Sequence, residues 1–316
     1  MLTGIIAGIT WALETVILGI ALGMSPFVST EQAIFLAPFI STFLHDACSG
    51  LLLLAYNVIR GKAKELLGVF KSSSLKWLVL ASAIGGPIGM TGYALAVNYM
   101  GPSVGAVASA VYPAIGTVLA YVFLKESVKW YQWIFLVFTL LGVYGLSYSP
   151  NLQVENFWLG LLGAFMCAFG WGIEAVILAK CLKDPTIKNE YALNIRQLTS
   201  ALIYGLLIVP VLGGWKFTIG LFTGHTGMLL PTIAVAALCA TVSYLFYYKT
   251  IAKVGASKAM ALNITYTAWA IAFTVILLRD FSVLSPFTLG CAAVVVICGI
   301  LAATDIKQLL AKRNRD

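Results

Sequence analysis

The chain has 316 residues, of which 60% are hydrophobic and 10% are charged, and its formal net charge is +8. A soluble domain carries about 25% charged residues, so this composition excludes an ordinary soluble protein. Apolar runs of about 20 residues recur from end to end, and each is long enough to cross a bilayer. We therefore expect a polytopic membrane protein.

The apolar runs predict ten membrane spans joined by short connections. The first run lacks a basic leader and a cleavage site, so it is interpreted as a retained span and not as a signal peptide. The predicted spans are 2–24, 31–59, 75–99, 102–124, 130–148, 156–180, 190–213, 227–250, 256–278 and 285–304.

Basic residues are concentrated in alternate connections. Four connections and the C-terminal tail carry nearly all of them, whereas the other connections contain only Lys216 and Arg279. By the positive-inside rule both termini face the cytoplasm, and this distribution argues against a nucleic-acid partner. The basic residues of the tail are Lys307, Lys312, Arg313 and Arg315.

The second half of the sequence repeats landmarks of the first. Residues 101–126 begin with Gly-Pro-Ser and end with Leu-Lys-Glu; residues 255–280 begin with Gly-Ala-Ser and end with Leu-Arg-Asp, and Tyr112 and Tyr266 occupy matching positions. Five spans per repeat is an odd number, so the copies enter the membrane from opposite sides. The prediction is an all-α membrane protein of ten transmembrane helices in two inverted five-helix repeats, residues 1–150 and 151–316. It could function as a monomer or a dimer.

Two Trp-x-x-Glu elements lie inside predicted spans, Trp11 with Glu14 and Trp171 with Glu174. This spacing places the indole and the carboxylate on one helix face. A carboxylate in mid-membrane is costly and normally faces a cavity or a partner. An aromatic face beside a negative charge is suited to an organic cation.

Other aromatic residues near the middle of their spans extend this candidate site, although a single mid-span aromatic residue more often simply packs. Asn263 lies one turn from Tyr266 and is expected to hydrogen-bond a polar tail of the substrate. These spans lack the oxygen shell that a small metal ion needs, so neither a metal nor a cofactor is expected. The added aromatic residues are Tyr93, Tyr112, Tyr244, Tyr247, Tyr266 and Trp269.

Three further ionisable residues lie within spans: His45, Asp46 and Arg196. They are candidates for gating or coupling, and a satisfied ion pair inside the bundle is the alternative. Two glutamates in one dry cavity would share a proton, which makes protons a candidate coupling ion. The alternative is that one glutamate pairs with Arg196 or a tyrosine hydroxyl and has a structural role.

Several strings resemble a known family. Gly-Pro-Ser before the fourth span and Phe-Leu-Lys-Glu after it are similar to the EamA-type repeat of the drug/metabolite transporter superfamily. Strings 86–90, 111–114, 171–174, 195–197 and 243–244 resemble the bacterial Lic-type choline transporters. That resemblance implies import of choline through an aromatic cage, with Trp171, Glu174, Tyr112 and Trp269 as cage residues. Glu14 departs from the small residue expected there.

These observations predict a secondary transporter of the bacterial inner membrane that moves choline or a similar quaternary ammonium compound by alternating access. Import is the expected direction, and an exporter of amino acids or cationic drugs is the alternative. A membrane enzyme would need a convergent catalytic or metal set, which two histidines, one of them His225 in a connection, do not supply. A channel is a further alternative, disfavoured by the inverted repeat.

Overall fold

The computed structural model describes residues 1–148, 154–224 and 226–305. The predicted boundary between residues 150 and 151, His225 and the basic tail lie outside these residues. We label the long helices α1 to α10 in chain order: Leu2–Leu22, Glu31–Ile59, Leu75–Met100, Pro102–Phe123, Trp130–Ser147, Phe157–Cys181, Asn189–Val211, Leu229–Val254, Ala256–Leu278 and Pro286–Ala303.

The helical membrane fold predicted from the sequence is confirmed. In the described residues, nine of these helices are long and apolar enough to cross a membrane, and α4 contains the further apolar stretch Ser109–Phe123. Large apolar side chains are exposed on the outside of the bundle, for example Leu206 on α7 and Val211 at its end. Exposed apolar surface of this kind is expected where a helix faces lipid.

Helix packing follows the inverted repeat. Helix α1 packs against α8 and α9 of the second half, and its counterpart α6 packs against α3 and α4 of the first half. Helices α2 and α7 pack against each other, as do α5 and α10. The two halves are therefore interleaved, and the helices that carry the Trp-x-x-Glu elements lie between them.

Two spans are irregular near their middle. Helix α3 widens to a π turn over Ile84–Ile88, around Pro87, as expected where a proline lacks a backbone donor. Helix α9 is interrupted between Asn263 and Tyr266. Pro113 lies inside helix α4, which continues through it.

We call the end of the bundle that contains Met1 the N-terminal face. Its connections, 60–74 and 182–188, come from different halves and are joined by side chains. Asp184 Oδ2 accepts hydrogen bonds from Ser72 Oγ at 2.6 Å and Ser74 Oγ at 3.0 Å. Hydrogen bonds from Ser72 and then Thr186 hold the pKa of Asp184 well below its usual range.

A second set of contacts reinforces the N-terminal face. Glu65 accepts hydrogen bonds from Lys188 and from the Tyr191 hydroxyl, and Lys62 Nζ lies 3.5 Å from Glu190 Oε1. On the opposite face, a cavity of about 480 Å³ separates Pro26 and Gln32 from Lys216. Polar side chains thus join the connections of the N-terminal face, whereas those of the other face meet through the stacked rings of Phe27 and Phe217, 6.0 Å apart, beside this cavity.

Candidate functional site

The aromatic residues of the Trp-x-x-Glu elements meet aromatic residues of the opposite half. The Trp11 ring contacts the Tyr244 and Tyr266 rings edge-on, with centroids 4.9 and 6.4 Å away. The Trp171 ring stacks on Tyr93 at 6.1 Å and meets Tyr112 edge-on at 5.8 Å. The inverted repeat therefore builds two related aromatic clusters, each containing one tryptophan and two tyrosines.

These clusters separate two cavities, which share Trp11, Trp171, Tyr244 and Tyr266 in their walls. The inner cavity has a volume of about 40 Å³, and the outer cavity has a volume of about 260 Å³ and extends along α1 to Leu22. The inner cavity is completed by Tyr112, Glu174, Ala175, Leu178, Ser243, Tyr247, Tyr248 and Asn263. The outer cavity is completed by Glu14, Thr15, Leu18, Gly19, Leu22, Thr42, His45, Asp46, Met90, Tyr93 and Arg196.

A buried chain of charges connects the two glutamates. Glu14 Oε1 lies 3.6 Å from His45 Nε2, and His45 Nδ1 lies 2.9 Å from Asp46 Oδ1. Arg196 donates to Asp46 Oδ2 from Nη1 at 3.3 Å and to Glu174 Oε1 from Nε at 3.0 Å. The glutamates are thus linked through three intervening residues.

Arg196 has further partners inside the bundle. Its Nη1 donates to Gln197 Oε1 at 2.6 Å, and its guanidinium lies over the Tyr244 ring, 5.0 Å from the centroid. The Arg196 side chain is only 2% exposed. The pairing of one glutamate with Arg196, which the sequence left open, is therefore present at Glu174, and Glu14 has His45 as its counterpart.

Glycines of the π turn let Glu174 and Trp171 approach α3. A Cβ atom on Gly85 would overlap the Glu174 carboxylate, and one on Gly89 would lie 2.8 Å from Trp171. The Gly85 carbonyl accepts a hydrogen bond from Trp171 Nε1 at 3.0 Å. The backbone of α3 therefore fixes the positions of both members of the second Trp-x-x-Glu element.

The interruption of α9 positions polar groups at the inner cavity. Asn263 Nδ2 donates to the Tyr112 hydroxyl at 3.1 Å, and its Oδ1 is buried without a hydrogen-bond partner. The Tyr266 hydroxyl is 3.0 Å from Ser109 Oγ. A buried carbonyl oxygen without a partner is costly, and a donor group on a ligand would satisfy it.

The structure gathers nearly all of the predicted site residues around these two cavities. Among the predicted residues in the described part of the chain, Trp269 lines neither cavity and packs against the main core, with its Nε1 buried and unpartnered. Tyr248 was missed as a site residue, although it follows the predicted Tyr247 and lines the inner cavity. Gly85 was missed as a contact, because its closeness to Glu174 depends on tertiary packing.

Comparisons with known proteins agree with this architecture. Residues 1–148 match the EamA-like transporter family. The whole chain is similar to Protein LicB of Haemophilus influenzae, with 28% identity over 288 residues that cover 91% of each chain. The chain is therefore similar to EamA-like transporters over residues 1–148 and to Protein LicB over most of its length.

A solved structure shares this fold over the full length of the chain. A crystal structure of a protein with 17% sequence identity superimposes with a TM-score of 0.73, covering 100% of this chain and 98% of the other. At this identity the likeness concerns the fold alone. The function of the protein must therefore be argued from its site.

Proposed function

We propose that this transporter moves choline or a similar quaternary ammonium compound across the bacterial cytoplasmic membrane by alternating access. The observation that carries the proposal is the pair of aromatic clusters beside a buried acidic network. A desolvated cation over an aromatic ring gains about 2 kcal/mol, and several rings can replace the hydration shell of an alkylammonium. Indole and phenol faces line both cavities, as such a ligand requires.

The charges of the network also favour a cationic substrate. Glu14, Asp46 and Glu174 supply three negative charges when ionised, and Arg196 supplies one positive charge. With neutral His45, two negative charges remain without compensation, which is costly away from water. One organic cation and one proton would neutralise them, with the proton shared by Glu14 and His45. Proton coupling therefore belongs to the proposal.

We propose import as the direction, for which the present conformation is the state that loads substrate. With both termini in the cytoplasm, as the basic connections indicate, the N-terminal face is cytoplasmic. The outer cavity extends to Leu22 on the opposite, external face, while side chains join the two halves across the N-terminal face. A site with this arrangement loads substrate from outside the cell.

Counterflow of labelled choline into proteoliposomes tests the substrate. We expect choline to exchange, and betaine, carnitine and amino acids to compete weakly, because carboxylates would face the acidic network. Trp171→Leu should lower exchange at least about tenfold, the value of one lost cation–π contact. Trp158→Leu is the matched control, because Trp158 lies on the same helix and is 76% exposed. Exchange of amino acids without choline would contradict the choline proposal and favour the amino-acid alternative.

Coupling is tested separately with Glu14→Gln. Wild-type uptake should increase when the outside is made more acidic than the inside, because a proton enters with the cation. Glu14→Gln should retain choline binding and lose this dependence. If the dependence on pH is the same in the variant, Glu14 has no part in coupling.

A further inference from the structure

Glu126, which follows α4 on the N-terminal face, docks onto the other half of the protein. Its Oε1 accepts a hydrogen bond from the backbone N–H of Ala256 at 2.8 Å, and its Oε2 accepts one from Ser257 at 3.1 Å. These are first-turn donors of α9, which have no partner within their own helix. The carboxylate also interacts favourably with the positive end of the helix dipole.

The backbone at this corner is built to admit the carboxylate. Gly255 precedes α9 with φ of +92°, and a Cβ atom there would lie 2.6 Å from Glu126 Oε1. Lys125, just before the glutamate, has φ of +57°. Both positions are therefore in the left-handed region, where glycine has no steric penalty and other residues are uncommon.

The inverted repeat places the same corner on the opposite face. Gly101, before α4, has φ of +85°, and Arg279, before Asp280, has φ of +53°. This second corner is undocked, because Asp280 Oδ1 accepts a hydrogen bond from the backbone N–H of Ser282 at 3.0 Å and another from its hydroxyl. A Cβ atom placed on Gly101 would have no described atom within 4 Å, apart from those of its chain neighbours.

We propose that Glu126 and Asp280 are alternating latches of the transport cycle. In the present conformation Glu126 caps α9 and holds the N-terminal face closed. In the opposite conformation Asp280 leaves Ser282 and caps the first turn of α4, while Glu126 releases α9. This proposal rests on the alternating access of the proposed function. It does not depend on any contact with the substrate.

The two latches differ in strength. Residue 102 of α4 is a proline, which has no backbone N–H, so the second corner offers one donor fewer than the Ala256–Ser257 pair. The aspartate is also one methylene shorter than the glutamate. This difference favours the state in which Glu126 is docked, which is the state that the structure shows.

Distances between spin labels in substrate-free protein test the latches. One label pair is placed at Ser127 and Lys253 on the N-terminal face, and another at Ser29 and Thr223 on the opposite face, in a cysteine-free background that still transports. Glu126→Gln should increase the population with a long N-terminal-face distance at least about tenfold, because hydrogen bonds to a charged group are the stronger ones. Glu155→Gln, at an exposed site, is the control.

Substitutions at the second latch should change the populations reported by the label distances in opposite directions. Ser282→Ala removes the hydroxyl hydrogen bond to Asp280, leaving the one from the backbone N–H, and should increase the population that is closed on the opposite face. Asp280→Asn should decrease it and slow exchange of substrate, while leaving binding from the opposite face unchanged. Wild-type distance distributions in both Glu126→Gln and Ser282→Ala would overturn the proposal. Because no ligand is present, this result is independent of whether choline is the substrate.

Discussion

At the scale of single residues, Gly85 is a position where one methyl group decides whether the site can form. A Cβ atom there would overlap the Glu174 carboxylate, which is itself held by Arg196. Overpacking a close contact of this kind costs about 1–3 kcal/mol. The absence of a side chain on α3 is therefore part of the candidate binding site.

Gly85→Ala should lower the affinity for choline about tenfold and lower the melting temperature, because Glu174 and Arg196 must shift. Gly290→Ala is the matched control, since Gly290 is also helical and has open space around it. There the better helix propensity of alanine should leave stability unchanged or slightly higher. Equal effects of the two substitutions on binding would exclude the proposed contact.

Glu174 gives a second prediction, because removal of its charge leaves Arg196 with Asp46 as its remaining carboxylate partner. Breaking a buried ion pair costs about 3–5 kcal/mol, so Glu174→Gln should lower the melting temperature and weaken choline binding. Glu31→Gln, on the exposed first turn of α2, should change neither quantity. Wild-type stability in Glu174→Gln would show that Arg196 does not depend on this carboxylate.

Much of the site was predictable at this scale, because helical spacing alone puts Trp11 beside Glu14 and Trp171 beside Glu174. The partners of these residues were not predictable. Arg196 was recognised as an intramembrane charge, yet its pairing with Glu174 and Asp46 depends on how α7 packs against α2 and α3. Spacing within one helix carries no information about that arrangement.

At the scale of elements, the interruption of α9 shows the limits of local signals. Helix α4 continues through Pro113, whereas α9 is interrupted at Ile264–Thr265 without a proline. There the Thr265 hydroxyl donates to the Leu262 carbonyl at 2.6 Å, which satisfies a backbone group locally. The position of a proline therefore does not by itself predict where a span is interrupted.

The connections of the N-terminal face yield a prediction about pH. Because its hydrogen bonds hold the pKa of Asp184 below the usual range, the aspartate stays ionised and contributes stability above the unfolded pKa; this contribution is lost only as pH falls through the folded pKa. Asp184→Asn should therefore lower the melting temperature by the same amount at every pH from about 5 to 8. A difference that changes across this range would contradict the assignment.

At the scale of the whole molecule, the ten helices and the inverted repeat were predictable, because hydropathy and repeated landmarks report them directly. The asymmetry between the faces was not predictable. Both halves carry the same corner motif, and the choice between docking Glu126 or Asp280 depends on a small difference between two packed states. The repeated sequence predicts that both states exist, but it does not predict their relative populations.

Aromatic rings and buried carboxylates lie close together at the centre of the molecule. We therefore expect the charge of a ligand, and not its shape alone, to determine whether it binds. Calorimetric titration of the purified protein with choline and with its uncharged carbon isostere, 3,3-dimethylbutan-1-ol, tests this claim directly. We expect choline to bind at least about 100-fold more tightly than the uncharged isostere, since each desolvated cation–π contact is worth about 2 kcal/mol. Equal binding of the two compounds, or binding of neither, would contradict it.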